Sequence, residues 1–219
     1  MDSQDFCTGL VAEMHQIFAQ LGEHETLESE SQGNVAVVPL LKAALKSELE
    51  ASELAGLWLP TTPEVDVKMT FGQLCGDEMK HYRLIAQRLE DLGENLDAFD
   101  PMADGYSPLY QYLRGLRTTV ERIAGGPFAR EAIAEIRNAQ FIAFCRAVGD
   151  VATAELYEQI IHPEEIHHHR AGRKLLERYA STPELQEQAA AAARNTLAIA
   201  DELRTLAEKT KGLHSIPVS

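Results

Sequence analysis

The chain has 219 residues, 45% apolar and 25% charged, with 34 acidic against 20 basic side chains and a formal net charge of −14. That suits one domain with one well-buried core, and so acidic a surface repels phosphate backbones and anionic membranes, which argues against a nucleic-acid partner. The cysteines, Cys7, Cys75 and Cys145, are far apart, odd in number and outside any Cys-x-x-Cys, which argues for a reducing compartment and against thiolate-held zinc or iron–sulfur centres.

Met1-Asp2-Ser3-Gln4-Asp5 has no basic region and no apolar run behind it, so no signal peptide is expected. Residues 5–21 carry Phe6, Leu10, Met14, Ile17, Phe18 and Leu21 at helical spacing, and Gly22 would end that helix. The polar, Glu-rich residues 22–34 read as an arm. Residues 1–34 thus form an N-terminal helix and arm ahead of a main domain at 35–180.

Pro39 fits a helix start, and the next segment runs to about Trp58. Its apolar stripe is Leu41, Ala44, Leu45, Glu48, Ser52 and Ala55, so a carboxylate stands where the pattern asks for a core residue. Glu50 and Glu53 read as solvent residues. Leu59-Pro60-Thr61-Thr62-Pro63 is a tight turn, which makes the following helix an antiparallel neighbour. That helix spans about 64–92 and ends at Gly93, with Met69, Leu74, Glu78, His81, Ile85 and Leu89 on its buried side.

Residues 94–126 read as a long crossover with its own helix, marked by Leu109, Tyr112, Leu113, Leu116, Val120 and Ile123 and broken by Gly125-Gly126-Pro127. The third core helix is expected at 128–147, with Phe128, Ala132, Glu135, Ala139, Ile142 and Arg146 in line. Gly149-Asp150 makes a turn and cap. The fourth, at 151–180, carries Tyr157, Ile160, Glu164, His167, His168, Ala171 and Leu175, and Pro163 inside it should cost a hydrogen bond and bend it. Ser181-Thr182-Pro183-Glu184 starts an Ala-rich helix over 183–211, ended by Gly212 and followed by a disordered tail at 213–219. Residues 181–219 are thus a C-terminal helix and tail. No segment reads as a strand and none approaches ~18 uninterrupted apolar residues, so the class is all-α, without membrane spans, and the expected location is cytoplasmic.

Two stretches carry chemistry, Asp77-Glu78-Met79-Lys80-His81 and Glu164-Glu165-Ile166-His167-His168-His169. Each contains Glu-x-x-His, which puts a carboxylate and an imidazole on one helix face, where both can ligate one metal ion. With 24 Glu and 8 His in the chain, about one such motif is expected by chance, so context decides. Each motif follows another helical segment with a Glu on its apolar face, Glu48 before Glu78 and Glu135 before Glu164. Phe71 to His81 and Tyr157 to His167 also align, with an aromatic, a Gln, an aliphatic, a Glu and a His at equal spacing, as in a duplicated helix pair. Two hairpins that each give one Glu and one Glu-x-x-His can supply four carboxylates and two imidazoles, a set for two adjacent transition-metal ions. Imidazole with carboxylate suits iron, with manganese or a mixed pair as the alternative.

This pattern resembles the ferritin-like di-iron carboxylate superfamily over roughly residues 37–180. The resemblance implies a four-helix bundle with a long crossover between its second and third helices. Carried over position by position, Glu48 and Glu135 are the single-Glu ligands, and Glu78 with His81 and Glu164 with His167 are the Glu-x-x-His pairs. The family's usual Tyr one or two turns after the first Glu is absent, with Ala55 and Trp58 there instead. The acidic and histidine runs also allow a one-residue shift to Glu165 and His168, and Glu131 rivals Glu135. The register with Glu164 keeps Tyr157 and Ile160 on its face.

The resemblance implies redox chemistry with O2 or peroxide as a partner. The first functional reading is an O2-activating oxygenase or oxidase of a small organic molecule, supplied by an unidentified electron donor, with a homodimer as the candidate assembly. The second is a ferroxidase, iron-storage or peroxide-scavenging protein. The third is a helical binding protein whose Glu and His residues are incidental.

Overall fold

The structure is a computed structural model that describes residues 1–22 and 36–210. The expected tail at 213–219 and, apart from Gly22, the expected arm at 22–34 lie outside the described residues. Among the described residues all regular secondary structure is helical, with no strand. In chain order they form α1 (Ser3–Gly22), α2 (Val37–Trp58), a short turn of 3-10 helix (Leu59–Thr61), α3 (Val65–Asp91) and α4 (Pro108–Arg114). Then come α5, continuous over 119–147, α6, continuous over 151–179, and α7 (Pro183–Thr210). Within α5 the stretch Ala124–Arg130, and within α6 the stretch Tyr157–Ile161, are wide π-type turns. No described helix is long and apolar enough to cross a membrane.

The third long helix therefore starts nine residues earlier than the sequence suggests, at Thr119 rather than 128. Thr118 builds a reciprocal cap: its hydroxyl accepts from the Glu121 N–H while the Glu121 carboxylate accepts from the Thr118 N–H at 2.8 Å. Gly125-Gly126-Pro127 does not break the helix. Pro127 lacks an N–H to close an α-turn, and the widened turn carries the chain past it. The glycines serve close packing: a Cβ on Gly126 would lie 2.7 Å from the Trp58 ring. Gly172 on α6 approaches the same turn, and its Cβ would lie 2.6 Å from the Pro127 carbonyl carbon.

The inward face of α3 reads Val67, Phe71, Leu74, Glu78, His81, Ile85 and Leu89, a regular 3–4 spacing. Met69, expected on that face, is 71% exposed because it lies on the opposite side of the helix from Val67 and Phe71. Glu50, expected in solvent, is buried, because α4 lies over it and the Ser107 N–H donates to its carboxylate at 2.6 Å.

The buried apolar residues divide into two clusters. One holds Leu54, Ala55 and Trp58 of α2, Val67, Phe71 and Leu74 of α3, Ile123 and Phe128 of α5 and Leu175 and Leu176 of α6. It is closed by Cys7, Leu10 and Met14 of α1 and by Ala189, Ala192, Ala193 and Leu197 of α7. The other holds Leu41 and Leu45 of α2, Ile85 and Leu89 of α3, Phe141, Phe144 and Cys145 of α5 and Ala154, Tyr157 and Ile161 of α6. Each fully buried Leu, Ile or Phe contributes ~1.5–3 kcal/mol. On every one of the four long helices α2, α3, α5 and α6, charged residues separate the two clusters.

Candidate metal centre

The layer between the clusters contains Glu48 of α2, Glu78 and His81 of α3, Glu131 of α5, and Glu165 and His168 of α6, none more than 8% exposed. They form two groups, Glu48, Glu78, His81 and Glu165 in one and Glu78, Glu131, Glu165 and His168 in the other. Within each group one ligand atom per residue lies within 4.8 Å of every other. Glu78 and Glu165 belong to both groups and straddle them. Glu78 turns Oε2 to His81 Nδ1 at 3.5 Å and Oε1 to His168 Nδ1 at 3.7 Å. Glu165 turns Oε1 to His81 Nδ1 at 3.5 Å and Oε2 to His168 Nδ1 at 3.4 Å.

The outer sides of the two imidazoles are matched as well. Nε2 of His81 lies 2.8 Å from Glu164 Oε2, and Nε2 of His168 lies 3.1 Å from Asp77 Oδ2. Each of these acids precedes the inward Glu of the opposite motif. A neutral imidazole that donates Nε2–H outward leaves the Nδ1 lone pair facing inward, the arrangement that orients metal-binding histidines. Lys80 donates to Glu164 and lies 3.7 Å from Asp77 Oδ1, so one ammonium ties the two outer acids together. Arg130 brings a positive charge to the other side. Its Nη1 donates to Glu131 Oε1 at 2.8 Å and lies 3.9 Å from Glu78 Oε1, while Nη2 donates to the Ser47 carbonyl at 3.0 Å.

The electrostatics match a site short of positive charge. Burial works against the His81 cation, yet its contacts with Glu165, Glu48 and Glu78 outweigh this and hold its pKa well above the ordinary imidazole range. His168 is raised in the same way, burial being outweighed chiefly by Glu165. Burial and then Glu78 push Glu48 up. Burial also raises Glu131 despite Arg130, whereas Glu165 is held well below the carboxylate range because Glu131, His168 and His81 overcome its burial. Both carboxylate oxygens of Glu78, Nδ1 of His81 and Oε2 of Glu131 are buried without any hydrogen-bond partner. An unpaired buried carboxylate costs several kcal/mol or more. Four orphaned ligand atoms facing one another are thus the observation that fits divalent cations held between them.

Of the residues expected from sequence, Glu48, Glu78 and His81 lie in this layer. Glu135, Glu164 and His167 do not, and Glu131, Glu165 and His168 stand in their places. On α6 the reason is the wide turn. Phe71 precedes Glu78 by seven residues, but Tyr157 precedes Glu165 by eight, and the extra residue is absorbed within Tyr157–Ile161. Beyond that turn the inward face runs Ile161, Glu165, His168, Gly172 and Leu175, so His167 is exposed and Glu164 sits one position off the face. Pro163, just after the turn, was the sequence signal. On α5 the helix continues through its glycines, so the face set by Phe128 reaches Glu131, and Glu135 lies a turn beyond the layer, half-buried. A second signal was present: Asp77-Glu78-Met79-Lys80-His81 and Glu164-Glu165-Ile166-His167-His168 share acid, Glu, aliphatic, base and His in order.

Fold and site together define an all-α protein with a buried carboxylate–imidazole cluster able to hold metal ions. No protein-family profile matches the chain, and neither a curated protein nor a solved structure matches it.

Proposed function

We propose that the protein is a ferritin-like dinuclear-metal redox enzyme that holds two iron ions, or manganese in their place, and oxidises a small organic substrate with O2. The observation that carries this is the sharing of Glu78 and Glu165 between two ligand groups, each completed by its own Glu and His. One Glu from each of two helices and a Glu-x-x-His pair from each of two others is the ligand pattern of dinuclear carboxylate bundles. Helix direction supports the same class. From N- to C-terminus α2 and α6 pass from the Leu41–Tyr157 cluster to the Trp58–Phe128 cluster, and α3 and α5 pass the other way. Parallel α3 and α5 require a connection that travels the length of the bundle, which the segment between Asp91 and Thr119 would provide.

When bound, such a pair supplies O2 or peroxide activation at coordination positions left open by the protein. The chain's own groups do the rest. Glu48 with His81, and Glu131 with His168, would hold one ion each. Glu78 and Glu165 would span both. Asp77 and Glu164 fix the imidazole rings, and the apolar clusters on either side exclude water.

The test is metal analysis after purification without chelators, followed by O2 uptake of the Fe2+-loaded protein with and without organic substrates. Two metal ions per chain and substrate-accelerated uptake are expected. Rapid oxidation of excess Fe2+ with no organic substrate would instead indicate a ferroxidase. A chain that retains no metal and gains no thermal stability from Fe2+ or Mn2+ would be a helical binding protein.

A further inference from the structure

The two groups of the metal layer are alike in their ligands and unlike in the charge beside them. Arg130, its side chain only 13% exposed, meets one group through two acids. Its Nη1 donates to Glu131 Oε1 at 2.8 Å and lies 3.9 Å from Glu78 Oε1, the oxygen that Glu78 turns to His168. Its Nη2 donates to the Ser47 carbonyl at 3.0 Å and to the Ser47 hydroxyl at 3.2 Å, which anchors the guanidinium to α2. Glu131 is left with one unpartnered oxygen, Oε2, to offer an ion. Glu48, the corresponding acid of the other group, has the His81 imidazole as its ion-pair partner, at 3.6 Å. Formal charge points the same way. Four ligand carboxylates balance two divalent ions, and Asp77 and Glu164 are balanced by Lys80 and Arg130, so the layer with neutral imidazoles closes at zero when both ions are divalent.

We infer that Arg130 makes the two metal positions unequal, holding the ion between Glu131 and His168 in the divalent state and leaving a trivalent ion to the position between Glu48 and His81. The inference rests on the dinuclear reading. A fixed cation one ligand away opposes a third positive charge strongly here, because a buried site is poorly screened. Arg130 touches ligands and not the reacting molecule, so it is a positioning residue. A centre that acts on O2 has to regain its divalent state after each cycle, and a cation so placed favours that return.

Mn2+ and Ga3+, the latter redox-silent and supplied as its citrate complex, are suitable probes. They are added singly and together to the whole chain and followed by chelator competition and metal analysis. Wild type is expected to take two Mn2+ alone, and one Mn2+ with one Ga3+ from the mixture. Arg130→Gln is expected to take two Ga3+, its Ga3+/Mn2+ affinity ratio rising at least tenfold, which equals about 59 mV in a one-electron potential. Arg130→Lys keeps the charge and is expected to stay within threefold of wild type. Arg130→Met, of similar bulk and uncharged, carries the test if Arg130→Gln fails to fold. A residue that served packing alone would, once replaced, weaken both ions in parallel and would not be rescued by lysine. That result, or two Ga3+ bound by wild type, overturns the assignment while two bound Mn2+ leave the dinuclear reading standing. A wild-type chain that binds neither ion overturns both.

Discussion

Glu164 holds His81 from the opposite helix hairpin, its Oε2 lying 2.8 Å from the imidazole Nε2. The acid just before one motif's inward Glu thus orients the histidine of the other. Outer partners of this kind typically change metal affinity by ~10–100-fold. Glu164→Gln is expected to weaken Mn2+ binding within that range without abolishing it, and Asp77→Asn to do the same through His168. Glu165→Gln, one residue on, is expected to abolish binding of both ions, and His167→Ala to leave it unchanged. Competition titration of Mn2+ against a chelator separates these cases, and equal effects at positions 164 and 165 would refute the assignment.

Glu48 and Glu131 each serve one group only. Glu48→Ala and Glu131→Ala are therefore each expected to reduce the stoichiometry from two ions to one, while Glu78→Ala removes both. Metal analysis after equilibrium dialysis reads this directly. If Glu48→Ala loses both ions as Glu78→Ala does, the two groups do not act separately.

Metal uptake should be pH-dependent. His81 and His168 have raised pKa values because the surrounding carboxylates outweigh their burial, so the two imidazoles hold protons more tightly than an ordinary histidine does. A metal must displace them. Affinity is expected to rise with pH, and Mn2+ addition at pH 7 to release protons into a weakly buffered solution. Stability of the metal-free protein runs the opposite way. What the imidazolium ions contribute is full below the unfolded value of ~6.5 and is lost as pH rises through their higher folded values. Thermal melts with and without Mn2+ across pH 6–8 test both trends; an affinity that falls with rising pH contradicts them.

Asp150 caps α6 by accepting from the Thr153 N–H at 3.1 Å, and it also accepts from Arg88 of α3 at 2.8 Å. Its pKa is lowered: burial alone would raise it, but Thr153 and Arg88 prevail. Asp150→Ala is expected to cost ~0.5–2 kcal/mol at pH 7 by urea unfolding. A depressed carboxylate contributes above its unfolded pKa and loses that contribution as pH falls through the folded value. The difference from wild type should therefore shrink below the ordinary aspartate value of ~3.9. A gap that persists undiminished in acid would place the effect elsewhere.

Gly172 fits only because nothing projects from it toward the Pro127 backbone. A side chain at this contact must displace main chain, and overpacking of that kind costs ~1–3 kcal/mol. Gly172→Ala is expected to lose about that much and, by shifting the turn that sets Glu131, to lower metal retention as well. Gly76→Ala, with open space around its Cβ position, is the control and should be neutral to slightly stabilising.

Most of the helical plan was legible in the sequence, because stripes such as Phe71, Leu74, Glu78, His81, Ile85 and Leu89 repeat at the α-helical period without interruption. The site was legible on α2 and α3 for that reason. It was misread on α5 and α6. On α5 Glu135 shares a face with Glu131 but lies one turn beyond the layer, and on α6 the wide turn just before Pro163 alters the phase of the face. One inserted residue rotates everything after it by about a hundred degrees, as 3.6 residues per turn requires. That is enough to exchange Glu164 for Glu165 and His167 for His168. Burial of Glu50 was hidden because it depends on α4 arriving from ~57 residues away, which no local pattern encodes.

The cross-braced histidines give the molecule a property beyond ligand geometry. Neither hairpin contains both an imidazole and the acid that steadies it, and each candidate group draws residues from both hairpins. Retention of any ions bound there and the mutual grip of the two halves would then be a single equilibrium. Any force that parts the hairpins should eject the cargo, and stripping the cargo should let them drift apart.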